Sequence, residues 1–234
     1  MTGPTTTDGF LGGALRLEQP QKGVRAGADG VFLAAAVQAA DGSRVLDVGT
    51  GTGVVALCLA HRLPGLFVDG LELQSGLSEI ARRNVALNGM DDRVRIVDGN
   101  LAAPPAVVPR NAYDAVVSNP PYFAAGGSTL SPSTSRARAR TEGELSIGDW
   151  LVASLKFVKP GGVLSVVYRA DRLDTVLGAL QDRAGDMLVY PLWPKPDGEA
   201  KTVIVQARKG AKGPLRLHPG LILHEENGRY TSGA

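Results

Sequence analysis

The stretch Arg44-Val45-Leu46-Asp47-Val48-Gly49-Thr50-Gly51-Thr52-Gly53-Val54-Val55-Ala56-Leu57 decides the fold. Residues 44–48 are a short apolar run with β-branched members, which reads as a buried strand. Three glycines at alternate positions then make a tight turn. An apolar run over 54–62 follows and reads as a helix, stopped by Pro64-Gly65. Strand, glycine turn and helix in this order open a βαβ unit, in which turn backbone can approach a ligand closely. The dinucleotide fingerprint G-x-G-x-x-G is not met, because the glycines fall at 49, 51 and 53 and position 54 is Val.

Working outward, strands are predicted over 66–73, 94–97, 113–118, 163–168, 187–192 and 202–208. Helices are predicted over 77–87, 149–158 and 173–183. The alternation predicts an α/β fold: one domain with a mostly parallel seven-stranded sheet, helices on both faces and an antiparallel pair at one edge. Pro160-Gly161-Gly162 is expected to stop the helix before it. Before the first strand, residues 2–15 read as a mobile Thr/Gly-rich arm and 12–25 as room for a short hairpin. Asp29 is placed to cap an Ala-rich helix, the alternative being a ligand contact. The division expected is an arm and helix over 1–40, completing the cofactor and substrate site, and a catalytic domain over 41–234. Residues 123–141 form a long loop of Gly, Ser, Pro and Arg, a length that points to function or disorder.

Composition narrows the classes. The 234 residues are 44% hydrophobic and 21% charged, with a net charge of +2, which is globular. Cys58 is the single cysteine, so no internal disulfide forms, and it is expected in the core. With only His61, His218 and His224 beside it, no metal site is expected. No apolar run is long enough to span a bilayer and the first ten residues do not form a secretory signal, so a cytoplasmic location is expected.

Chemistry-bearing residues recur at strand ends. Glu72 closes the second strand, 19 residues after Gly53, where a carboxylate can accept both hydroxyls of a ribose. Leu73 follows it. Asp98-Gly99-Asn100 closes the third strand. The fourth ends in Ser118-Asn119-Pro120-Pro121-Tyr122. Two prolines end a ladder because neither carries a donor. Asn119 then offers a side-chain carbonyl, Pro120 a backbone carbonyl and Tyr122 a flat face. Two acceptors gripping a planar amino group favour a pyramidal nitrogen whose lone pair can attack. Read singly, each of these is also a plausible structural turn.

The D-x-G-x-G-x-G form, with the Asn-Pro-Pro-Tyr tetrapeptide, resembles class I N-methyltransferases, a Rossmann-like fold. The flanks, Gln19 to Val37, Asn119-Pro120-Pro121-Tyr122-Phe123 and Leu223-His224-Glu225-Glu226-Asn227-Gly228-Arg229-Tyr230-Thr231, resemble the tRNA1(Val) adenine-N6 methyltransferase family. The resemblance implies S-adenosyl-L-methionine (AdoMet) as cofactor, held by Asp47, Gly49, Thr50, Gly51, Thr52, Gly53, Glu72, Leu73, Asp98, Gly99, Asn100 and Asn119. It implies Asn119, Pro120, Pro121 and Tyr122 as the catalytic turn, and adenine N6 in tRNA as acceptor. The family loop often carries Arg-His-Glu, where this sequence has Arg140-Thr141-Glu142.

Arg136, Arg138 and Arg140, with the basic stretch 195–218 (six Lys or Arg against two acids), are candidate tRNA contacts, the alternative being solvated basic segments. Rival readings are a glutamine-N5 methyltransferase of a release factor, an rRNA guanine-N2 methyltransferase, and a non-enzymatic RNA- or AdoMet-binding module. The first usually carries an N-terminal helical domain, for which the roughly 40 residues before the first strand leave little room. Trp150 and Trp193 read as packing residues, and His224 as structural.

Overall fold

A computed structural model describes residues 3–22, 25–121 and 145–234. Its strands are β1 (Thr5–Phe10), β2 (Leu15–Pro20), β3 (Arg44–Val48), β4 (Phe67–Glu72), β5 (Val94–Asp98), β6 (Tyr113–Ser118), β7 (Val158–Arg169), β8 (Ala184–Trp193), β9 (Thr202–Lys209), β10 (Arg216–Leu217) and β11 (Leu221–Ile222). Its helices are α1 (Ala28–Ala36), α2 (Val54–Arg62), α3 (Ser75–Leu87), α4 (Ile147–Leu155) and α5 (Leu173–Leu180).

The main sheet runs β5-β4-β3-β6-β7-β9-β8-β10, with β11 also on β8. β3 to β7 pair parallel, and β9 is antiparallel to both β7 and β8. The expected antiparallel pair therefore lies at this end of the sheet. Among the described residues the count is nine rather than seven, because the two-residue strands β10 and β11 add to β8. The chain steps outward from β3 through β4 to β5, then returns to place β6 on the other side of β3. That reversal is the topological switch point, and ligands of open α/β sheets bind there, outside the carboxyl ends of the strands.

Strand alternation divides the core. Val45 packs with Leu33, Leu57 and Val85 on the face covered by α1, α2 and α3. Leu46 and Val48 pack with Leu151, Leu155, Val176 and Leu180 on the face covered by α4 and α5. Cys58 is buried in the first cluster, as expected, and burial pushes its thiol up to about 12. Leu15, Leu17 and Leu33 join the same cluster, so the segment before residue 41 shares one core with the segment after it.

Three sequence expectations are corrected. Residues 5–10 are not a mobile arm but a strand, paired antiparallel with β2 from Thr5↔Pro20 to Phe10↔Leu15. Side chains fix this hairpin: Thr5 Oγ1 donates to Glu18 Oε1 at 2.7 Å, and Arg83 Nε to Glu18 Oε2 at 2.7 Å. Second, Asp29 lies in the first turn of α1, whose N-cap is Gly27. Third, Pro160-Gly161-Gly162 does not stop α4, which ends at Leu155; it enters β7, where a register shift between Tyr113 and Ala115 absorbs it.

The outer edge of β2 is read by helix α3. Asn84 Oδ1 accepts from Glu18 N at 2.6 Å, and its Nδ2 donates to Glu18 O and Thr52 O, both at 2.9 Å. One turn later, Asn88 repeats the pattern on Arg16 N (2.9 Å) and Arg16 O (2.8 Å). Positions i and i+4 share a helix face, and alternate strand residues share an edge, so two amides form a side-chain ladder. Asn84 is fully buried (0% exposed). Asn84→Ala should cost about 3 kcal/mol, since it strands three backbone groups at about 1 kcal/mol each. Urea denaturation measures this, and a loss well below 1 kcal/mol would show that the ladder carries little of the hairpin's docking.

Candidate active site

The carboxyl ends of β3, β4, β5 and β6 bring the predicted residues together. Gly49, Gly51 and Gly53 have φ of 71°, 58° and 87°, the left-handed region glycine favours. A β-carbon on Gly49 would lie 3.0 Å from Trp150 Cζ2. One on Gly51 would meet nothing within 4 Å, so the outer side of the turn is open. The turn is anchored to β4, since Gly49 N and Thr50 N both donate to Leu71 O, at 2.9 and 3.1 Å.

Asp47 faces into the turn and is 1% exposed. Thr50 Oγ1 donates to its Oδ2 at 2.6 Å, and the Ala56 N–H donates to the same carboxyl. Burial pushes its acid up to about 7; these two hydrogen bonds oppose the rise, and the nearby Glu72 charge adds to it. Thr50 and Thr52 are buried with it. Between the unfolded pKa near 4 and about 7, the folded state holds a proton that the unfolded state has released. Stability from this group is therefore full below about 4 and is lost as pH rises through about 7. Asp47→Asn should remove that dependence. Relative to the native chain it gains on the order of 2 kcal/mol between pH 5 and pH 8. Denaturation midpoints at the two pH values measure it, and an equal difference at both would refute the assignment.

Glu72 is 6% exposed. Its Oε2 accepts from Gly51 N at 2.8 Å and its Oε1 from Gln74 N at 2.9 Å. Each oxygen keeps a second lone pair, which is the acceptor set a cis-diol needs. The next residue, Leu73, is exposed. Asp98 is tied to Ser78 Oγ and Arg82 Nη2, and Ser78, then Arg82, holds its carboxyl below the usual range. Gly99 N donates to Glu72 O at 2.8 Å, binding the ends of β4 and β5 together. Asn100 Oδ1 accepts from Ala102 N at 2.8 Å and so closes its own turn.

Val48 and Ser118 are register partners in the parallel β3/β6 pair. The residues that follow them, Gly49 and Asn119, thus leave neighbouring strands, about 4.8 Å apart, at the same level. Ser118 is buried, Asn119 half-buried, Pro120 buried and Pro121 exposed. Tyr122, Arg136, Arg138 and Arg140 lie outside the described residues. Of the basic stretch 195–218, Lys209 Nζ is occupied structurally, donating to Asn111 Oδ1, Leu155 O and Val158 O.

Two concavities among the described residues lie away from these strand ends. One of about 580 Å³ is lined by Arg44, Phe67 and Val94, where β3, β4 and β5 begin. No group of three metal-ligating side chains occurs among the described residues, and no helix there is long and apolar enough to cross a membrane. Sequence reading missed Trp150 and Asn84 as parts of the site's frame. The signal for Asn84 was an asparagine pair at i and i+4, the second at the helix C-cap, on a face that also buries Ile80, Ala81 and Val85.

Taken together, the switch-point turn, the open side of Gly51 and the spare acceptors of Glu72 fit AdoMet, and they define an AdoMet-dependent methyltransferase. A family model described as methyltransferase small domain matches residues 25–173. The chain belongs to this family, among its tRNA1(Val) adenine-N6-methyltransferases. The tRNA1(Val) (adenine(37)-N6)-methyltransferase of Aeromonas hydrophila subsp. hydrophila is 30% identical over 226 residues, covering 95% of this chain and 92% of its own. The protein of that name from Porphyromonas gingivalis is 32% identical over 234 residues, covering 96% and 91%. The fold is shared with a solved structure described as a predicted O-methyltransferase from Agrobacterium tumefaciens (TM-score 0.73, 24% identity, 88% and 92% covered). It is also shared with M. jannaschii TYW2 in complex with AdoMet (TM-score 0.59, 13% identity, 87% and 85% covered).

Proposed function

We propose that the protein methylates the exocyclic N6 of an adenine in tRNA, the adenosine 3′ of the anticodon of a valine tRNA. The observation that carries this reading is the adjacency of the Asn119-Pro120 turn to the glycine turn across the β3/β6 switch point. The relatives' names supply the acceptor.

Bound AdoMet supplies an electrophilic methyl group on a sulfonium. The glycine turn, closed from behind by Asp47, positions the methionine end, and Glu72 accepts from the ribose hydroxyls. The exposed side chain of Leu73 and the Asp98-Gly99-Asn100 turn border the adenine moiety. Asn119 Oδ1 and the Pro120 carbonyl accept the two N6 hydrogens of the target base, and Tyr122 stacks on its ring. Held this way, N6 becomes pyramidal and its lone pair attacks in line. The sulfonium of bound AdoMet would supply the methyl group and leave as the neutral thioether, and N6 would lose its surplus proton to solvent. The residues hydrogen-bond best to the charge that develops on N6, which is transition-state stabilisation. Residues 1–40 complete the site by bracing the turn, since Asn84 joins β2 to Thr52. Arg136, Arg138, Arg140 and the stretch 195–218 supply phosphate contacts in the cytoplasm.

The test incubates the protein with methyl-labelled AdoMet and total tRNA lacking this modification, with release factor, rRNA and duplex DNA in parallel. Nuclease digestion should yield labelled N6-methyladenosine from tRNA. Label in release-factor glutamine or in rRNA guanine would reassign the acceptor, and label nowhere would favour a binding role.

A further inference from the structure

Trp150 stands between the two turns that carry the site. Its indole Nε1 donates to Ser118 Oγ at 3.0 Å, and Ser118 Oγ donates to the Val48 carbonyl at 2.7 Å. The serine is sealed from solvent, at 0% exposed. Val48 is the last residue before the glycine turn, and Ser118 the last before Asn119. The indole ring also lies against the glycine turn, where a β-carbon on Gly49 would come within 3.0 Å of Cζ2. A single side chain therefore touches the cofactor turn with its ring and the acceptor strand with its N–H.

The ladder gives this contact a purpose. Register pairing between β3 and β6 ends at Val48↔Ser118. Pro120 and Pro121 follow and have no N–H to extend it. The hydroxyl and the indole carry the connection past the last rung. Trp150 is itself held firmly. Ser146 caps α4 through Asp149 N at 3.1 Å, Trp150 N donates to Ser146 O at 2.8 Å, and Ser154 Oγ donates to Trp150 O at 2.8 Å. Its neighbour Leu151 is fully buried.

We propose that Trp150 and Ser118 are positioning residues for methyl transfer, the Trp150–Ser118–Val48 chain fixing the acceptor turn relative to the cofactor turn. In-line transfer depends on that separation, and an error near 1 Å can cost on the order of 10²-fold in rate. The inference rests on the methyltransferase reading but not on adenine as the acceptor.

Trp150→Phe keeps an aromatic ring in this position but deletes the N–H and the indole edge, Cζ2 and Cη2, that faces Gly49. With whichever acceptor the native enzyme methylates, kcat should fall at least tenfold. KM for AdoMet and for the acceptor should stay within threefold. Ser118→Ala should behave alike, and the double variant should lose no more than the larger single loss, because both remove one connection. A kcat for Trp150→Phe within twofold of native, or losses that multiply, would overturn the proposal. A second readout needs no acceptor. Only Trp150 and Trp193 are present, so Trp193→Phe leaves Trp150 as the sole tryptophan. Its emission should shift on titration with S-adenosyl-L-homocysteine, and Ser118→Ala in that background should change the shift. Emission that ignores saturating ligand, or a shift that Ser118→Ala leaves unaltered, also overturns it. If the native enzyme labels no tRNA, the acceptor assignment fails while this titration still decides the relay.

Discussion

Asn119→Ala is expected to lower kcat by about 10²–10³-fold, the cost of removing one positioned hydrogen-bonding group from a transition state. The affinity for AdoMet should fall far less than kcat, because Glu72 and the glycine turn, which carry most of the expected cofactor contacts, are untouched. Asn119 leaves β6 beside Gly49, half-buried, between a sealed serine and a buried proline. Its carbonyl engages N6 most strongly as positive charge develops there, so the loss falls on kcat rather than on KM. Single-turnover methylation at saturating AdoMet measures it. Activity within tenfold of native would show that another acceptor holds the amino group.

Glu72→Gln is expected to weaken AdoMet binding by about 100-fold. Two hydrogen bonds from hydroxyls to a charged carboxylate contribute roughly 1.5–3 kcal/mol each, and replacement by an amide removes the charge and one acceptor. About 2.7 kcal/mol corresponds to 100-fold. The variant also gives up Gly51 N or Gln74 N as a partner of the lost oxygen, so the turn loosens with it. Calorimetric titration with AdoMet measures the change. A Kd within fivefold of native would remove Glu72 as the ribose acceptor and leave it as a brace for the turn.

These two residues were legible in the sequence for a shared reason. Each stands at a strand end marked by local punctuation: glycines after Val48, and prolines after Asn119. The boundaries of α2 and β6 were read to the residue for the same cause. A hairpin was expected over 12–25 and forms over 5–20; its first strand was illegible because residues 5–10 have no apolar alternation, and the hairpin is held by contacts from far along the chain. Glu18 is reached by Asn84, 66 residues away. Pro160-Gly161-Gly162 carries the signature of a breaker, and only its neighbour shows why it sits in a strand. A β-carbon on Gly162 would lie 2.7 Å from Asp114 O, so glycine lets β6 pass close by.

By itself the sequence determined the alternation of strands and helices, the glycine turn, the acid at the end of β4 and the Asn-Pro-Pro turn. All of these are set by spacing within a few residues, where propensity and backbone sterics act. The tertiary structure alone decided that Asp47 faces inward and is pushed up to about 7, and that Asp98 is already tied to Ser78 and Arg82. It also decided that Trp150 joins the two turns. These properties depend on which groups distant segments bring within 3 Å and on how much water they exclude, and hydrogen bonding and desolvation act over those distances in space.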